Sequence, residues 1–326
     1  MAGQYRTGWH HGIGRLGMLA VGLGIGAAVA AVGYPPGIAS ADPTAFDPNN
    51  FAVSIDGFTL FQEGTATATS GTGDLAIADG ANSSAVADSG FLDMASAFGT
   101  GSDATTDEIG ASPGGLDVAS AFGTDSLAVA AGGFLDVASA SGTDSEATTA
   151  PFGASPGGLD VASAFGTDSL AVAAVGFLDA AAASGTDSYA DVGFLSSPGS
   201  FDTASAWGPA AETIVSGGNF DNALAVDPFG TISSGAFAHN GSGDYAAVFG
   251  DGDTATAGGA DNLLLGNGDI AAVFGNDSTA TAGENLVTGG TGNFDLAADF
   301  GNTLDANATG ANFLVDVMTI LGNLGL

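Results

Sequence analysis

Leu116-Asp117-Val118-Ala119-Ser120-Ala121-Phe122-Gly123-Thr124-Asp125-Ser126 is the stretch that decides the fold, because it does not occur once. It returns from Leu135 (LDVASASGTDS), Leu159 (LDVASAFGTDS) and Leu178 (LDAAAASGTDS). Looser forms start at Leu92 (LDMASAFGT) and Phe201 (FDTASAWG). The aspartates of the six copies, Asp93, Asp117, Asp136, Asp160, Asp179 and Asp202, are separated by 24, 19, 24, 19 and 23 residues. The alternation has a cause: Gly110 to Ala131 recurs letter for letter as Gly153 to Ala174, an offset of 43, so a block of two units was duplicated. Farther on, Ala246-Ala247-Val248-Phe249-Gly250 returns 25 residues later as Ala271-Ala272-Val273-Phe274-Gly275.

A period of this length marks a solenoid, in which each repeat is one turn that cannot bury a face alone and stacks on its neighbours. Each unit carries two short alternating segments, such as Asp117–Ala121 and Ser126–Ala130, joined by Gly-Thr-Asp or Gly-Gly corners. Alternation with period two predicts strands, and glycine supplies the positive φ of tight corners. With 55 glycines the chain is punctuated too often for helices, each costing about 1 kcal/mol relative to alanine inside one. The expected fold is therefore all-β, a single-chain parallel β-solenoid of about 20–25 residues per turn with end caps.

Comparing the copies predicts the inward face. The position held by Leu127, Glu146, Leu170 and Tyr189 varies as a solvent position does, whereas Ser126/Ala128, Ser145/Ala147, Ser169/Ala171 and Ser188/Ala190 barely change. Ala119 and Ala121 point inward by the same test, leaving Phe122, Ser141, Phe165, Ser184 and Trp207 partly exposed. The core is predicted to consist of very small side chains, so stability rests on hydrogen-bond ladders between turns about 4.8 Å apart.

Charge divides the chain. Its two basic residues, Arg6 and Arg15, precede an apolar run from Leu16 to Val32 and the small-residue site Ala39-Ser40-Ala41. This reads as a signal peptide over residues 1–41. Glycines interrupt the run, which is about 17 residues long and short for a bilayer span. Cleavage leaves 36 acidic residues and no lysine or arginine, a formal charge of −36. Such a surface repels nucleic acid and anionic membrane surfaces, so neither is an expected partner. An envelope or host surface is the expected kind of partner, and the expected localisation is secreted, extracellular or envelope-associated. Without cysteine there is no disulfide and no thiolate metal site.

Both ends differ from the middle. Residues 42–64 include Phe51, Val53, Ile55, Phe58, Leu60 and Phe61, bulkier than the first repeats, and read as an N-terminal cap to a repeat solenoid spanning residues 65–310. Residues 311–326 contain the tail Phe313–Leu326 with the single charge Asp316, and read as an apolar C-terminal cap.

Chemistry-bearing groups are scarce. His239, the one histidine after the leader, sits beside Asn240 and reads as a solvated loop residue. The glutamates Glu63, Glu108, Glu146, Glu212 and Glu284 fall in widely separated turns, which suggests no paired-carboxylate cleft. No catalytic residue is expected, and the chain reads as a non-enzyme. The sharpest candidates are the recurring aspartates. Stacked in one corner, Asp93, Asp117, Asp136, Asp160, Asp179 and Asp202 form a column of like charges that is destabilising unless each is hydrogen-bonded, protonated or neutralised by a cation. Calcium suits carboxylate and carbonyl oxygens and would make these six residues a metal site. Turn amides are the alternative partners. A second column could come from Asp125, Asp144, Asp168 and Asp187 in the Gly-Thr-Asp-Ser corners.

The leader ending in Ala39-Ser40-Ala41-Asp42-Pro43, the segment Ser54–Gln62 (SIDGFTLFQ) and the Gly/Ala/Asp repeats up to Phe313 resemble the secreted Ala/Gly-rich repeat proteins of mycobacteria, a group of largely unassigned function. The composition is also similar to the PGRS tracts of PE-PGRS proteins, without the PE helical domain and with few GGxGG triplets. The resemblance implies export and a structural or surface-interaction role in the cell envelope. Two other expectations stand beside it: a calcium-stabilised adhesin and a carbohydrate-active solenoid.

Overall fold

The structure is a computed structural model. It describes residues 47–88, 90–106, 115–130, 134–149, 158–173, 176–193, 200–227, 234–239, 241–258, 267–283, 294–309 and 315–319. Among the described residues every regular element is a strand. The leader and its cleavage site lie outside them.

Each repeat folds as predicted into two strands. Val118–Phe122 and Leu127–Val129 form one turn, followed by Val137–Ser141 and Glu146–Thr148, then Val161–Phe165 and Leu170–Val172. Successive turns pair in parallel and in register, so Val118, Val137 and Val161 stack, as do Ala119, Ala138 and Ala162. The first strands of the described turns, together with an N-terminal hairpin, build one 14-stranded sheet. The second strands build the opposite face as two sheets, seven strands from Thr67–Ser70 to Tyr189–Ala190 and five from Ala211–Ser216 to Asp305–Thr309. The chain is an all-β parallel solenoid.

Identity of sequence sets the register. A slip by one residue would turn every inward alanine to solvent. Ala119 and Ala121 on one face and Ala128 and Ala130 on the other are all 0% exposed, and the same columns run through Ala138/Ala140, Ala162/Ala164 and onward to Ala306/Ala308. Alanine buries little area per residue, so cohesion comes chiefly from the backbone ladders that close between turns.

A column of serines closes one inner corner. The hydroxyl of Ser102 is set between the carbonyl oxygens of Phe98 at 3.1 Å and Gly123 at 2.7 Å. Ser126, Ser145, Ser169 and Ser188 sit likewise, each between a carbonyl four residues back and one of the next turn.

At the N-terminal end Phe51–Ile55 and Phe58–Glu63 form an antiparallel hairpin, whose first strand pairs antiparallel with Leu75–Asp79. Phe51 and Val53 gather with Ile77 and Phe98 into the bulkiest cluster described, with Phe61, Leu75 and Phe122 against it. At the other end Val315–Thr319 adds a last parallel strand beside Leu296–Phe300, while residues 320–326 lie outside the described residues.

Candidate functional site: an aspartate ladder inside one corner

The corner opposite the serines is lined by aspartate. The six predicted residues do stack, and they continue in both directions: Asp74, Asp93, Asp117, Asp136, Asp160, Asp179, Asp202, Asp221, Asp244, Asp269 and Asp295 form one column through the rod. Each passes a hydrogen bond along it. Oδ1 of Asp74 accepts the backbone N–H of Asp93 at 3.0 Å, Asp93 that of Asp117 at 3.1 Å, Asp117 that of Asp136 at 2.9 Å and Asp136 that of Asp160 at 3.2 Å. The chain of bonds runs on through Asp179, Asp202, Asp221, Asp244, Asp269 and Asp295 at 2.9–3.1 Å. Sequence separations along it run from 19 to 26 residues.

Local conformation explains the ladder. The residue before many of the aspartates is left-handed: Leu92, Leu116, Leu135, Leu159, Leu178, Phe201, Phe220 and Phe294 have φ of 60–67°. That geometry aims two successive amides at one carboxylate, a small anion-binding nest. Asp160 thus also receives the N–H of Leu178, Asp179 that of Phe201 and Asp202 that of Phe220.

Burial is the surprise. The aspartates of the column are 0–1% exposed, although aspartate is ordinarily a surface residue. Glycines of the facing strand make the room: a Cβ on Gly258 would fall 2.5 Å from Oδ2 of Asp244, and one on Gly283 2.7 Å from Oδ2 of Asp269. The second oxygen is the exposed problem of the arrangement. Oδ2 of Asp74, Asp136, Asp179, Asp202, Asp221, Asp244 and Asp269 is buried with no hydrogen-bond partner among the described residues.

A buried carboxyl with a partner on one oxygen favours its neutral form. Burial first, and then the neighbouring Asp160 and Asp117, push Asp136 up to about 8. Burial likewise lifts Asp160 to about 7, Asp202 to about 7, Asp221 to about 6, Asp244 to about 8 and Asp269 to about 6, against the pull of the amides they accept. The column can therefore hold protons near neutral pH. Its ability to hold a metal is a separate matter: the oxygens facing the next turn are already engaged by amides, and among the described residues no group of three or more acidic or histidine side chains is arranged to hold a metal ion.

The other predicted column behaves differently. Asp125, Asp144, Asp168 and Asp187 are left-handed turn residues, φ 52–55°, exposed on the opposite edge of the rod. Their backbones also stack, Asp125 N–H donating to Thr100 O at 2.9 Å and Asp168 N–H to Thr143 O at 3.3 Å. A further buried pair stands at the junction of the two short sheets. There the hydroxyl of Tyr189 donates to Oδ2 of Asp191 at 2.9 Å, and burial raises Asp191 to about 6.

His239 corrects the sequence reading. It ends the strand Ser234–His239 instead of lying in a solvated loop, its ring stacks on Phe237 at 5.7 Å, and Nδ1 lies 3.2 Å from Ser216 Oγ. Burial lowers its affinity for a proton. Of the glutamates, Glu63, Glu146 and Glu212 stand on three different sheets, and Glu108 and Glu284 lie outside the described residues.

The chain matches no family model, no curated protein and no solved structure.

Proposed function

We propose that this chain is an exported, non-catalytic structural protein of the cell envelope, a rod that works through its surface, as the resemblance to the secreted Ala/Gly-rich repeat proteins of mycobacteria also suggests. The observation that carries the reading is the aspartate column: a hydrogen-bonded spine running from Asp74 to Asp295 spends the chain's most abundant charged residue on holding turns together. Every repeat contributes the same strands and the same corner, which is the economy of a scaffold and not of a cleft built from unlike parts. The basic leader and small-residue site account for export, and the absence of lysine and arginine after Arg15 accounts for solubility without nucleic-acid or anionic-lipid contact.

The test is expression of the full chain in a secretion-competent mycobacterial host, followed by fractionation and N-terminal sequencing. The expected product begins at Asp42 and is found in the culture filtrate or the envelope. Retention of the uncleaved chain in the cytosol overturns the reading. The calcium-stabilised alternative requires the carboxylates to surrender the amides they hold, and the metal titration described below separates the two.

A further inference from the structure

The second face of the rod is discontinuous at one place. Its seven-stranded sheet ends with Tyr189–Ala190 and its five-stranded sheet begins with Ala211–Ser216, whereas on the first face Ala180–Ser184, Thr203–Ala206 and Asn222–Val226 pair without a break. Among the described residues one backbone hydrogen bond crosses this seam, from Asp191 N–H to Thr213 O at 3.2 Å. The core explains the gap. Thr213 stands in the column that continues as Ala236, Ala255 and Ala280, and Val215 in the column of Ala238 and Ala257. Thr213, Val215 and Val192 are all 0% exposed, so three branched side chains crowd a core made mainly of alanine and keep the ladder from closing. The Thr213 hydroxyl ties the far side of the seam to the first face, donating to Ser205 O at 2.9 Å.

Asp191 lies at the seam with little to support a charge. Oδ2 accepts the Tyr189 hydroxyl at 2.9 Å, and Oδ1 is buried with no hydrogen-bond partner among the described residues. The surroundings offer no cation. Glu212, on the facing strand, brings a second negative charge to the same Tyr189 hydroxyl, and the neighbouring strands Leu170–Val172, Ala180–Ser184 and Thr203–Ala206 carry no titratable side chain. No lysine or arginine follows Arg15. A buried carboxylate in such a place is destabilising, and its protonated form much less so. Burial outweighs the Tyr189 hydroxyl and the Val192 amide and raises Asp191 from 3.8 to about 6. The proton's contribution to the folded seam is therefore complete below about pH 4 and lost as pH rises past about 6.

We propose that this seam is a hinge: loss of the Asp191 proton parts Tyr189–Val192 from Ala211–Ser216 while the first face stays paired, and the rod bends there. Turns on either side are held by ladders on both faces, so motion concentrates at the one place where a single backbone bond closes the second face.

Hydrogen exchange of the full-length chain, compared as protection factors across pH 5 to 8, tests the hinge. Between those limits the Asp191 amide and the strand Ala211–Ser216 are expected to lose about tenfold more protection than the reference strands Leu127–Val129 and Thr254–Gly258, with a midpoint near pH 6. Asp191→Asn keeps an acceptor for the Tyr189 hydroxyl and cannot ionise, so its seam should lose no more than the reference strands. Tyr189→Phe removes the hydroxyl that favours the charge, so the midpoint of opening should move to higher pH, a shift that a packing role of the ring alone would not produce. A loss at the seam no greater than in the reference strands would overturn the proposal, as would an equal loss in Asp191→Asn or an unmoved midpoint in Tyr189→Phe.

Discussion

Asp136 accepts the N–H of Asp160 on Oδ1 at 3.2 Å and donates its own N–H to Asp117 at 2.9 Å, so three carboxyl groups on successive turns meet inside a corner where none is more than 1% exposed. Repulsion and burial act together there, and the backbone amides offset only part of them. The consequence is that Asp136, Asp160, Asp202 and Asp244 take up protons at far higher pH than an ordinary aspartate.

Stability should therefore fall as pH rises. The folded values of Asp136, Asp160, Asp202 and Asp244, about 8, 7, 7 and 8, lie above the ordinary 3.8. Between about pH 4 and 8 the folded chain holds more protons than the unfolded one, so the contribution is complete below about pH 4 and is lost as pH passes through roughly 6 to 8. A shift of one unit is worth about 1.4 kcal/mol, and neighbouring sites share their protons, so several kcal/mol are at stake. At about 2 °C per kcal/mol for a chain of this size, the thermal midpoint should drop by roughly 10 °C between pH 5 and pH 9. Circular dichroism melts across that range check it, and a midpoint that is flat or rises with pH would show the column to be ionised throughout.

Two replacements of one residue separate proton from acceptor. Asp136→Asn keeps an oxygen for the N–H of Asp160 and cannot ionise, so it should raise the midpoint at pH 9 and leave it nearly unchanged at pH 5. Asp136→Ala removes the acceptor and leaves a buried amide unmet, a loss of about 1–3 kcal/mol relative to Asp136→Asn at either pH. A midpoint of Asp136→Asn at pH 9 no higher than that of the unaltered chain would mean that ionisation of Asp136 contributes nothing, and equal midpoints of the two variants would mean that the acceptor contributes nothing.

The alanine register, the strand pairs and the stacking of six aspartates were legible because identical small residues recur at fixed spacing around Leu116–Ser126. Asp74, Asp221, Asp244, Asp269 and Asp295 were hidden because what aligns them is backbone conformation: Leu92, Phe220 and Gly243 satisfy the same left-handed position and share no side-chain chemistry. Burial was hidden for a related reason. An aspartate reads as a surface residue until the facing strand closes over it with a glycine such as Gly258 or Gly283, which belongs to another part of the repeat. His239 looked like a loop residue beside Asn240 and Gly241, yet pairing with Ser216 and Gly258 on either side makes it the end of a strand.

Calcium should leave the rod unchanged. A metal entering the column would have to displace amides from Oδ1 and ionise Asp136 and Asp244, which burial raises to about 8. Thermal midpoints at pH 6 in excess chelator and in millimolar calcium are expected to coincide. A rise with calcium, absent in Asp136→Asn, would instead make Asp93, Asp117, Asp136, Asp160, Asp179 and Asp202 metal ligands.

Glycine at the far end of the long sheet carries the last expectation. Gly250, Gly275 and Gly301 stack in register on successive turns. A Cβ on Gly275 would lie 1.4 Å from the carbonyl oxygen of Gly301, and one on Gly250 1.5 Å from that of Gly275. Both obstacles are backbone atoms that cannot swing aside, so Gly275→Ala must push two turns apart, at a cost of roughly 3 kcal/mol or more. In a solenoid each turn contacts only its neighbours, so the damage should stay local. Hydrogen exchange is expected to lose protection in Ile270–Asn276 and Leu296–Asn302 while Val118–Phe122 and Val137–Ser141 keep theirs. Uniform loss along the chain would show the rod to unfold as a single unit, and no loss at all would show that these turns are not in van der Waals contact through their glycines.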